Sequence, residues 1–244
     1  MYEIPKINNF MLLSNNGEHE LKIGGYMNYQ SETLGTDSPK LCHKLSYYNN
    51  FPYKFNYSFN SLGYRERPVE EYLTNAIITI GDSATIGIGI PANLSYSHNL
   101  EILSNHQVLN FSMCGASNDW MARKLEIILK YFDPKAIIIH YSFIHRREKN
   151  EPTWFDDERT LCEPCFNEIE DCENWIFNHK KITSLVNNIP TVYSAIPTWK
   201  PTDRLIPYHI IETKQVDFAR DYFHYGPITC ANLAKIYFEC INQQ

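Results

Sequence analysis

Short apolar runs alternate with amphipathic stretches over the last two thirds of the chain. The runs are four to six residues long and rich in β-branched side chains, as is typical of buried parallel strands. They cover residues 76–80, 108–111, 136–141 and 191–196. The amphipathic stretches are predicted to be helices with one buried face, at residues 93–104, 119–132, 169–187 and 227–241. This alternation predicts an α/β fold in which a mainly parallel sheet lies between helical layers.

The second of these helices has the clearest pattern. Its apolar side chains recur at helical spacing: Met121, Leu125, Ile128, Leu129 and Phe132. Either Ser117 or Asn118 can cap its N-terminus, because both side chains accept hydrogen bonds from free backbone N–H groups. Asp133-Pro134 ends it, since the residue before a proline disfavours helical backbone.

Residues 1–75 have a different pattern from the rest of the chain. They are rich in Asn and Tyr, contain several turn signals and show no helical periodicity. Short β segments are predicted at residues 21–29 and 54–59. The sequence therefore predicts an irregular or β-rich N-terminal arm packed on a main domain of residues 76–244.

Composition and charge exclude several classes of function. The 244 residues are 43% apolar and 14% aromatic, which is enough for one sizeable core. The net charge is −6 and no Lys/Arg cluster is present, so nucleic-acid binding is not expected. No apolar run approaches the roughly 18 residues of a membrane span, and the first residues lack signal-peptide features. We expect a cytoplasmic protein without a membrane partner, and the oligomeric state stays open.

An acidic segment at about residues 146–173 interrupts the alternation. It holds ten acidic residues against four basic ones, which is typical of a solvated insertion. Cys162, Cys165 and Cys172 also lie there, but the second ligand pair of a zinc site is absent at the usual spacing. We therefore expect no metal, and the seven scattered cysteines are predicted to be reduced thiols.

Candidate chemistry begins at Gly81-Asp82-Ser83, directly after the first apolar run. Ligands of open α/β sheets bind at the carboxyl ends of the strands, so Ser83 lies where chemistry is expected. The segment matches neither a phosphate-binding loop, nor a dinucleotide fingerprint, nor the G-x-S-x-G elbow of the α/β-hydrolases. A simple turn with a serine N-cap is the alternative interpretation.

A base for such a serine is available near the end of the chain. Asp221 and His224 are three residues apart, just before the last predicted helix. At that spacing the aspartate can bind one imidazole nitrogen while the other nitrogen faces outward. This is the orienter and general base of a Ser-His-Asp arrangement, although an Asp-x-x-His pair also occurs by chance.

The order of these motifs resembles that of the GDSL/SGNH hydrolases. Gly81-Asp82-Ser83 follows the first strand, Gly115 follows the second, and Asp221-x-x-His224 precedes the last helix. The similarity extends from Ala76 to the end of the chain. Upstream, residues 60–65 (Asn-Ser-Leu-Gly-Tyr-Arg) fit one branch of the family.

The resemblance implies a flavodoxin-like three-layer α/β/α sandwich and hydrolysis of an ester, often an O-acetyl group on a carbohydrate. Ser83 would be the nucleophile, His224 the base and Asp221 its orienter. The backbone N–H groups of Ser83 and Gly115 would bind the oxyanion. No metal or organic cofactor would be needed.

One part of the family pattern is missing. The family places an asparagine after the third strand, where its side chain donates to the oxyanion, but residues 140–147 contain none. Ser142, His145, Arg146 or Asn118 could replace it. Ser142 is preferred, because it follows the third strand and Asn118 is needed as a possible helix cap.

The leading hypothesis is a serine esterase acting on an acylated glycan or small ester. A catalytically weak binding module is the alternative that the missing asparagine raises. An O-acyltransferase is another, because hydrolysis and transfer share the acyl-enzyme step.

Overall fold

We describe the protein from a computed structural model. It describes residues 26–60, 64–65, 75–130, 132–147, 168–196 and 210–244. In chain order the elements are β1 (Tyr26–Ser31), α1 (Leu45–Asn49), β2 (Tyr57–Asn60), β3 (Ile77–Gly81), α2 (Ser83–Ile86), a 3-10 turn (Ala92–Leu94), α3 (Tyr96–Ser104), β4 (Val108–Asn110), α4 (Asn118–Ile128), β5 (Ala136–Tyr141), α5 (Glu168–Leu185), β6 (Thr191–Ala195), β7 (Ile211–Glu212) and α6 (Pro227–Asn242).

Five strands form the central sheet, in the order β4-β3-β5-β6-β7. All four pairings between them are parallel, which confirms the prediction of a mainly parallel sheet. This is the flavodoxin-like strand order. The chain moves from β3 to β4 in one direction and then crosses back to β5. The strand order therefore reverses at β3, and a crevice opens at the carboxyl ends of β3 and β5.

Helices cover both faces of this sheet. Crossovers between parallel strands are right-handed as a rule, so α3 is expected on one face and α4 and α5 on the other. α6 packs against α3, and α4 packs against α5. All residues of β3, β4 and β5 are buried, as expected for strands covered on both sides. The architecture is the three-layer α/β/α sandwich expected from the sequence.

Two of the four predicted helices differ from the prediction by three or more residues at one end. α3 begins at Tyr96, later than predicted, because the Ser95 side chain accepts a hydrogen bond from the backbone N–H of His98 (3.2 Å) and caps the helix there. α4 is capped by Ser117, whose hydroxyl accepts from the N–H of Trp120 at 3.1 Å, and it ends at Ile128. Asn118 therefore does not cap the helix.

The described residues between Tyr26 and Arg65 are here called the arm. Its strands β1 and β2 form a two-stranded antiparallel ribbon, and α1 lies between them in the chain. Tyr57 is fully buried and its hydroxyl accepts a hydrogen bond from the backbone N–H of Gly89 at 2.7 Å. The Arg65 guanidinium donates to backbone carbonyls of the loop that follows α2. The arm therefore contacts the loop that follows Ser83.

Several sequence predictions fall on residues outside the described ranges. Most of the acidic segment, with Cys162 and Cys165, lies there, whereas Cys172 is buried in α5. Among the described residues, no helix is both long and apolar enough to cross a membrane. Nor do the ranges given above contain a group of three metal-ligating side chains.

Candidate active site

Ser83 is the first residue of α2, at the carboxyl end of β3. The helix is capped by Asp82, whose carboxylate accepts a hydrogen bond from the N–H of Ala84 at 3.0 Å, so Ser83 itself is not the cap. A Cβ atom at Gly81 would lie 2.0 Å from the Thr85 Oγ1 and 2.9 Å from a backbone oxygen of β5. Glycine is therefore required for this tight exit from the strand.

The structure brings Ser83, His224 and Asp221 into one line of hydrogen bonds. The Ser83 Oγ lies 2.8 Å from the His224 Nε2, and the His224 Nδ1 lies 2.6 Å from the Asp221 Oδ2. We assign the Nδ1 proton to the bond with Asp221, which leaves Nε2 free to accept the serine proton. Ser83 and His224 are each 7% exposed, and Asp221 is fully buried.

The turn that carries Asp221 orients its carboxylate. The Asp221 Oδ1 accepts hydrogen bonds from the N–H groups of Phe223 (3.0 Å) and His224 (3.1 Å). Tyr222 closes the turn with φ +58°, in the left-handed region that non-glycine residues seldom adopt. Oδ2 is thereby directed at the imidazole.

Asp221 stays ionised at neutral pH. Burial alone would raise its pKa, but the hydrogen bond and charge of His224 and a hydrogen bond from Thr36 lower it to about 2. Hydrogen bonds donated to the charged form of a carboxyl group favour that form. A permanent carboxylate is what an orienting aspartate requires when the neighbouring imidazole takes up a proton.

An open cleft lies at Ser83 and His224, and the space in it, open solvent included, is about 420 Å³. Its walls combine apolar side chains with a few polar ones. The lining residues are Asp82, Ser83, Ala84, Phe143, Arg146, Ile196, Gln215, Phe223, His224 and Tyr225. Most come from loops at the carboxyl ends of the strands, where ligands bind in open α/β sheets.

Ser142 lies in a buried polar network beside this cleft. Its hydroxyl donates to the Asp82 Oδ2 at 2.8 Å and accepts from the Arg146 Nη1 at 2.7 Å. The same Arg146 nitrogen lies 2.8 Å from the Asp82 Oδ2 and forms an ion pair with it. A hydroxyl has one proton, and that of Ser142 is directed at Asp82. This geometry disfavours Ser142 as the oxyanion donor.

Asn118 and Gly115 lie on the loop after β4. The Asn118 amide accepts from the N–H of Ser142 at 3.1 Å and donates to the carbonyl of Phe143 at 3.3 Å, so it joins the loops after β4 and β5. Gly115 is buried and has φ +77°, a left-handed turn that glycine adopts without strain. Its role as an oxyanion donor stays a prediction.

Behind the catalytic histidine candidate lies a second, fully buried histidine. The His140 Nδ1 lies 2.9 Å from the Ser194 hydroxyl, and its Nε2 lies 3.1 Å from the hydroxyl of Tyr225, which lines the cleft. Burial lowers the pKa of His140 to about 4, although the charge of Asp82 opposes this shift. His140 is therefore neutral at physiological pH.

Sequence reasoning missed one side chain at this site, Thr36, and gave Arg146 no preferred role. Thr36 of the arm donates to the Asp221 Oδ2 at 2.6 Å, a contact that joins residues 185 positions apart and has no local signal. Arg146 was one of several candidates without a preferred role. Its place after the third strand was the available signal, because the loops that follow parallel strands meet at one edge.

The fold and the site have the arrangement of serine hydrolases: a serine at a strand end, an imidazole within hydrogen-bond reach, and a buried carboxylate behind the imidazole. No protein-family model and no curated protein matches the chain. Solved structures do match, at low sequence identity.

Three of the matching structures show which kinds of protein have a similar fold. A protein assigned to the lipolytic G-D-S-L family, from Desulfitobacterium hafniense DCB-2, is 11% identical, with a TM-score of 0.48, over 68% of this chain and 99% of that one. The esterase EstA from Pseudoalteromonas sp. is 13% identical, with a TM-score of 0.46, over 69% of this chain and 97% of that one. The acetyl xylan esterase Est2A from Butyrivibrio proteoclasticus is 14% identical, with a TM-score of 0.48, over 73% of this chain and 66% of that one. By their descriptions, the three structures similar to this chain are one lipolytic protein and two esterases.

Proposed function

We propose that the protein is a serine-dependent carboxylic ester hydrolase. The observation that carries the proposal is the pair of short hydrogen bonds, Ser83 Oγ to His224 Nε2 at 2.8 Å and His224 Nδ1 to Asp221 Oδ2 at 2.6 Å. This line lies at an open cleft that Ser83 and His224 both line. A nucleophile, a base and an orienter in that order are the requirements of acyl-enzyme catalysis.

The reaction then follows from the positions of these atoms. The Ser83 Oγ attacks the ester carbonyl carbon while its proton passes to the His224 Nε2. Asp221 stays ionised and stabilises the imidazolium. The C–O bond breaks, the alcohol leaves with the proton from His224, and an acyl-serine remains. Water loses a proton to His224 as it attacks this ester, and breakdown of the second tetrahedral intermediate returns the free serine and a carboxylic acid.

The oxyanion of each tetrahedral intermediate needs donors about 2.7–3.1 Å away. Backbone N–H groups at Ser83 and Gly115 are the proposed pair. For the side-chain donor we favour Arg146 over Ser142, because Arg146 lines the cleft together with Ser83. Arg146 has five N–H protons, and the contacts with Asp82 and Ser142 use one of its nitrogens.

The proposed substrate is an O-acetylated carbohydrate or another small ester. Phe143, Ile196 and Phe223 give the cleft an apolar wall suited to a short acyl chain. Phe223 is 41% exposed, so the cleft opens to solvent beside this ring. The resemblance of the motifs to the GDSL/SGNH hydrolases adds the carbohydrate to this proposal.

Replacement of the nucleophile tests the proposal. Ser83→Ala should lower kcat for p-nitrophenyl acetate by at least about 10⁴-fold, because it removes the hydroxyl that lies within hydrogen-bond reach of the proposed base. It should also abolish labelling by a fluorophosphonate probe. Ser184→Ala, on the exposed side of α5, is the matched control and should leave both unchanged. Undiminished turnover by a folded Ser83→Ala protein would exclude the proposed function.

A further inference from the structure

The arm supplies a side chain to the hydrogen-bond line of the active site. Thr36 is half-buried, and its hydroxyl donates to the Asp221 Oδ2 at 2.6 Å. The same oxygen accepts from the His224 Nδ1 at 2.6 Å. The Thr36 Oγ1 is 3.4 Å from that nitrogen, so the hydroxyl, the carboxylate oxygen and the imidazole meet at one point.

Contacts made by the residues that follow Thr36 in the arm fix its position. Its neighbour Asp37 is fully buried and binds the Arg220 guanidinium with two hydrogen bonds of 2.8 and 2.7 Å. Asp37 also accepts from the Tyr57 hydroxyl at 2.6 Å. Further along the arm, the N–H of His43 donates to the Asp221 carbonyl at 2.9 Å. Residues 36–43 therefore contact the Arg220–Asp221 pair through both side chains and backbone.

These contacts satisfy each oxygen of the Asp221 carboxylate. Oδ1 accepts two backbone N–H groups from its own turn, and Oδ2 accepts one hydroxyl and one imidazole N–H. With four donors in place, the carboxylate cannot rotate about its Cβ–Cγ bond without losing hydrogen bonds. Removal of the Thr36 hydroxyl would free one side of Oδ2 and let it turn away from the imidazole.

We propose that Thr36 is a positioning residue for the proposed general base, acting through Asp221 on the orientation of His224. This inference rests on the proposed function and extends it to the arm. Thr36 is distant from the acyl group itself, because the carboxylate and the imidazole lie between its hydroxyl and Ser83. Its contribution is therefore to the chemical step and not to substrate binding.

Replacing Thr36 with valine tests this role, because valine keeps the shape of the side chain and removes only the hydroxyl. Thr36→Val should lower kcat for p-nitrophenyl acetate about tenfold, as expected for one hydrogen bond to a charged group. KM should stay within about twofold, since ground-state binding is unaffected. Thr36→Ser retains the hydroxyl and should restore most of kcat.

The control variant lies in the same turn. Ser38→Ala removes a hydroxyl two residues away for which the described part of the chain shows no hydrogen bond, and it should leave kcat and KM unchanged. Melting temperatures of all three variants separate positioning from unfolding. A stable Thr36→Val protein with wild-type kcat would overturn the inference, as would failure of Thr36→Ser to restore activity.

A second measurement does not depend on turnover. The proton shared by the His224 Nδ1 and Asp221 should give a far-downfield proton NMR signal, identified by its absence from His224→Gln. We expect this signal to move upfield or broaden in Thr36→Val and to stay in place in Thr36→Ser. An unchanged signal in Thr36→Val would overturn the inference even in an active enzyme. If instead Ser83→Ala retained activity, the proposed function would fail while the NMR result still decided the role of Thr36.

Discussion

A guanidinium, that of Arg146, lies on the loop where the family pattern has an asparagine. It forms an ion pair with Asp82 and lies over the Phe143 ring, 4.7 Å from the ring centroid. Its side chain lines the cleft and is only 14% exposed, so bulk water screens its charge weakly. A cation beside a developing oxyanion stabilises the transition state more strongly than a neutral amide donor does.

Replacing Arg146 should therefore affect the chemical step. We expect Arg146→Gln to lower kcat by about 10²-fold with little change in KM, as for loss of one oxyanion donor. Ser142→Ala should have a smaller effect, because its hydroxyl faces Asp82. Steady-state kinetics on p-nitrophenyl acetate measure both.

The adjacent arginine provides the control for this comparison. Arg147 forms an ion pair with Asp171 at 2.7 Å and does not line the cleft, so Arg147→Gln should leave kcat unchanged. If Ser142→Ala reduced kcat more than Arg146→Gln did, in proteins of equal melting temperature, the donor would be Ser142 as the sequence first indicated.

Single residues were predictable where their signal is local. The motif Gly81-Asp82-Ser83 and the pair Asp221 and His224 are short, ordered patterns, and the structure brings all three candidate catalytic side chains together. The preference for Ser142 rested on its position after β5 alone. The direction of its hydroxyl depends on Asp82, which is 60 residues away in the sequence.

Two loops that carry the candidate catalytic residues touch each other at Gly89. The Arg220 N–H donates to the Gly89 carbonyl at 2.8 Å. A Cβ atom at Gly89 would lie 2.7 Å from the Ala219 Cβ and 3.1 Å from the Arg220 nitrogen. The backbone there has φ +79°, which L side chains seldom adopt. This glycine sets the distance between the loop after α2 and the turn of Asp221.

An added methyl group should therefore separate these loops. We expect Gly89→Ala to destabilise the fold by about 1–3 kcal/mol through backbone strain and the clash. Among molecules that remain folded, kcat should fall about tenfold or more, because the Ser83–His224 distance changes. Urea unfolding and kinetics below the melting transition measure the two effects.

An alanine substitution nearby distinguishes this contact from a general effect on the loop. Asn93→Ala alters an exposed side chain in the 3-10 turn, and we expect wild-type kcat and stability. A Gly89→Ala protein with unchanged kcat and unchanged stability would show that the two loops tolerate a wider separation.

Elements with strong periodicity were predictable, and their ends less so. The apolar runs identified β3, β4, β5 and β6 because both faces of those strands are buried. β7 pairs through only two residues, too few to produce a pattern. The start of α3 was set by the Ser95 hydroxyl, which ends the 3-10 turn and starts a new helix.

At the scale of the whole molecule, the three-layer sandwich contains a buried polar cluster around His140, and the protonation of this histidine affects the stability of the fold. His140 is fully buried among the hydroxyl groups of Ser194, Tyr225 and Tyr237. Its pKa falls from 6.5 to about 4 through burial, so the folded state binds its proton less readily than the unfolded state. The contribution of His140 to stability is therefore complete above pH 6.5 and is lost as the pH falls toward 4.

The size of this loss can be measured. The shift from 6.5 to about 4 corresponds to about 3 kcal/mol of unfolding free energy between those pH values. His140→Gln cannot titrate, so its unfolding free energy should depend less on pH over this range. Urea titrations at several pH values give the comparison. His106→Gln, which replaces a half-buried histidine beside Lys135, serves as the reference. Equal pH dependence of His140→Gln and the wild-type protein would contradict the prediction.

The contact between Thr36 and Asp221 also has a consequence for protein synthesis. A ribosome adds Ser83 and the whole arm long before it adds Arg220 and Asp221. Arg220 follows its partner Asp37 by 183 residues, and Asp221 follows its partner Thr36 by 185 residues. Until then the nascent chain has the proposed nucleophile without its base, and Asp37 lacks its cation. Closing so long a loop is a late and slow event in folding. The esterase proposed here would therefore become active only after residues 220–224 have been synthesised and have folded onto the arm.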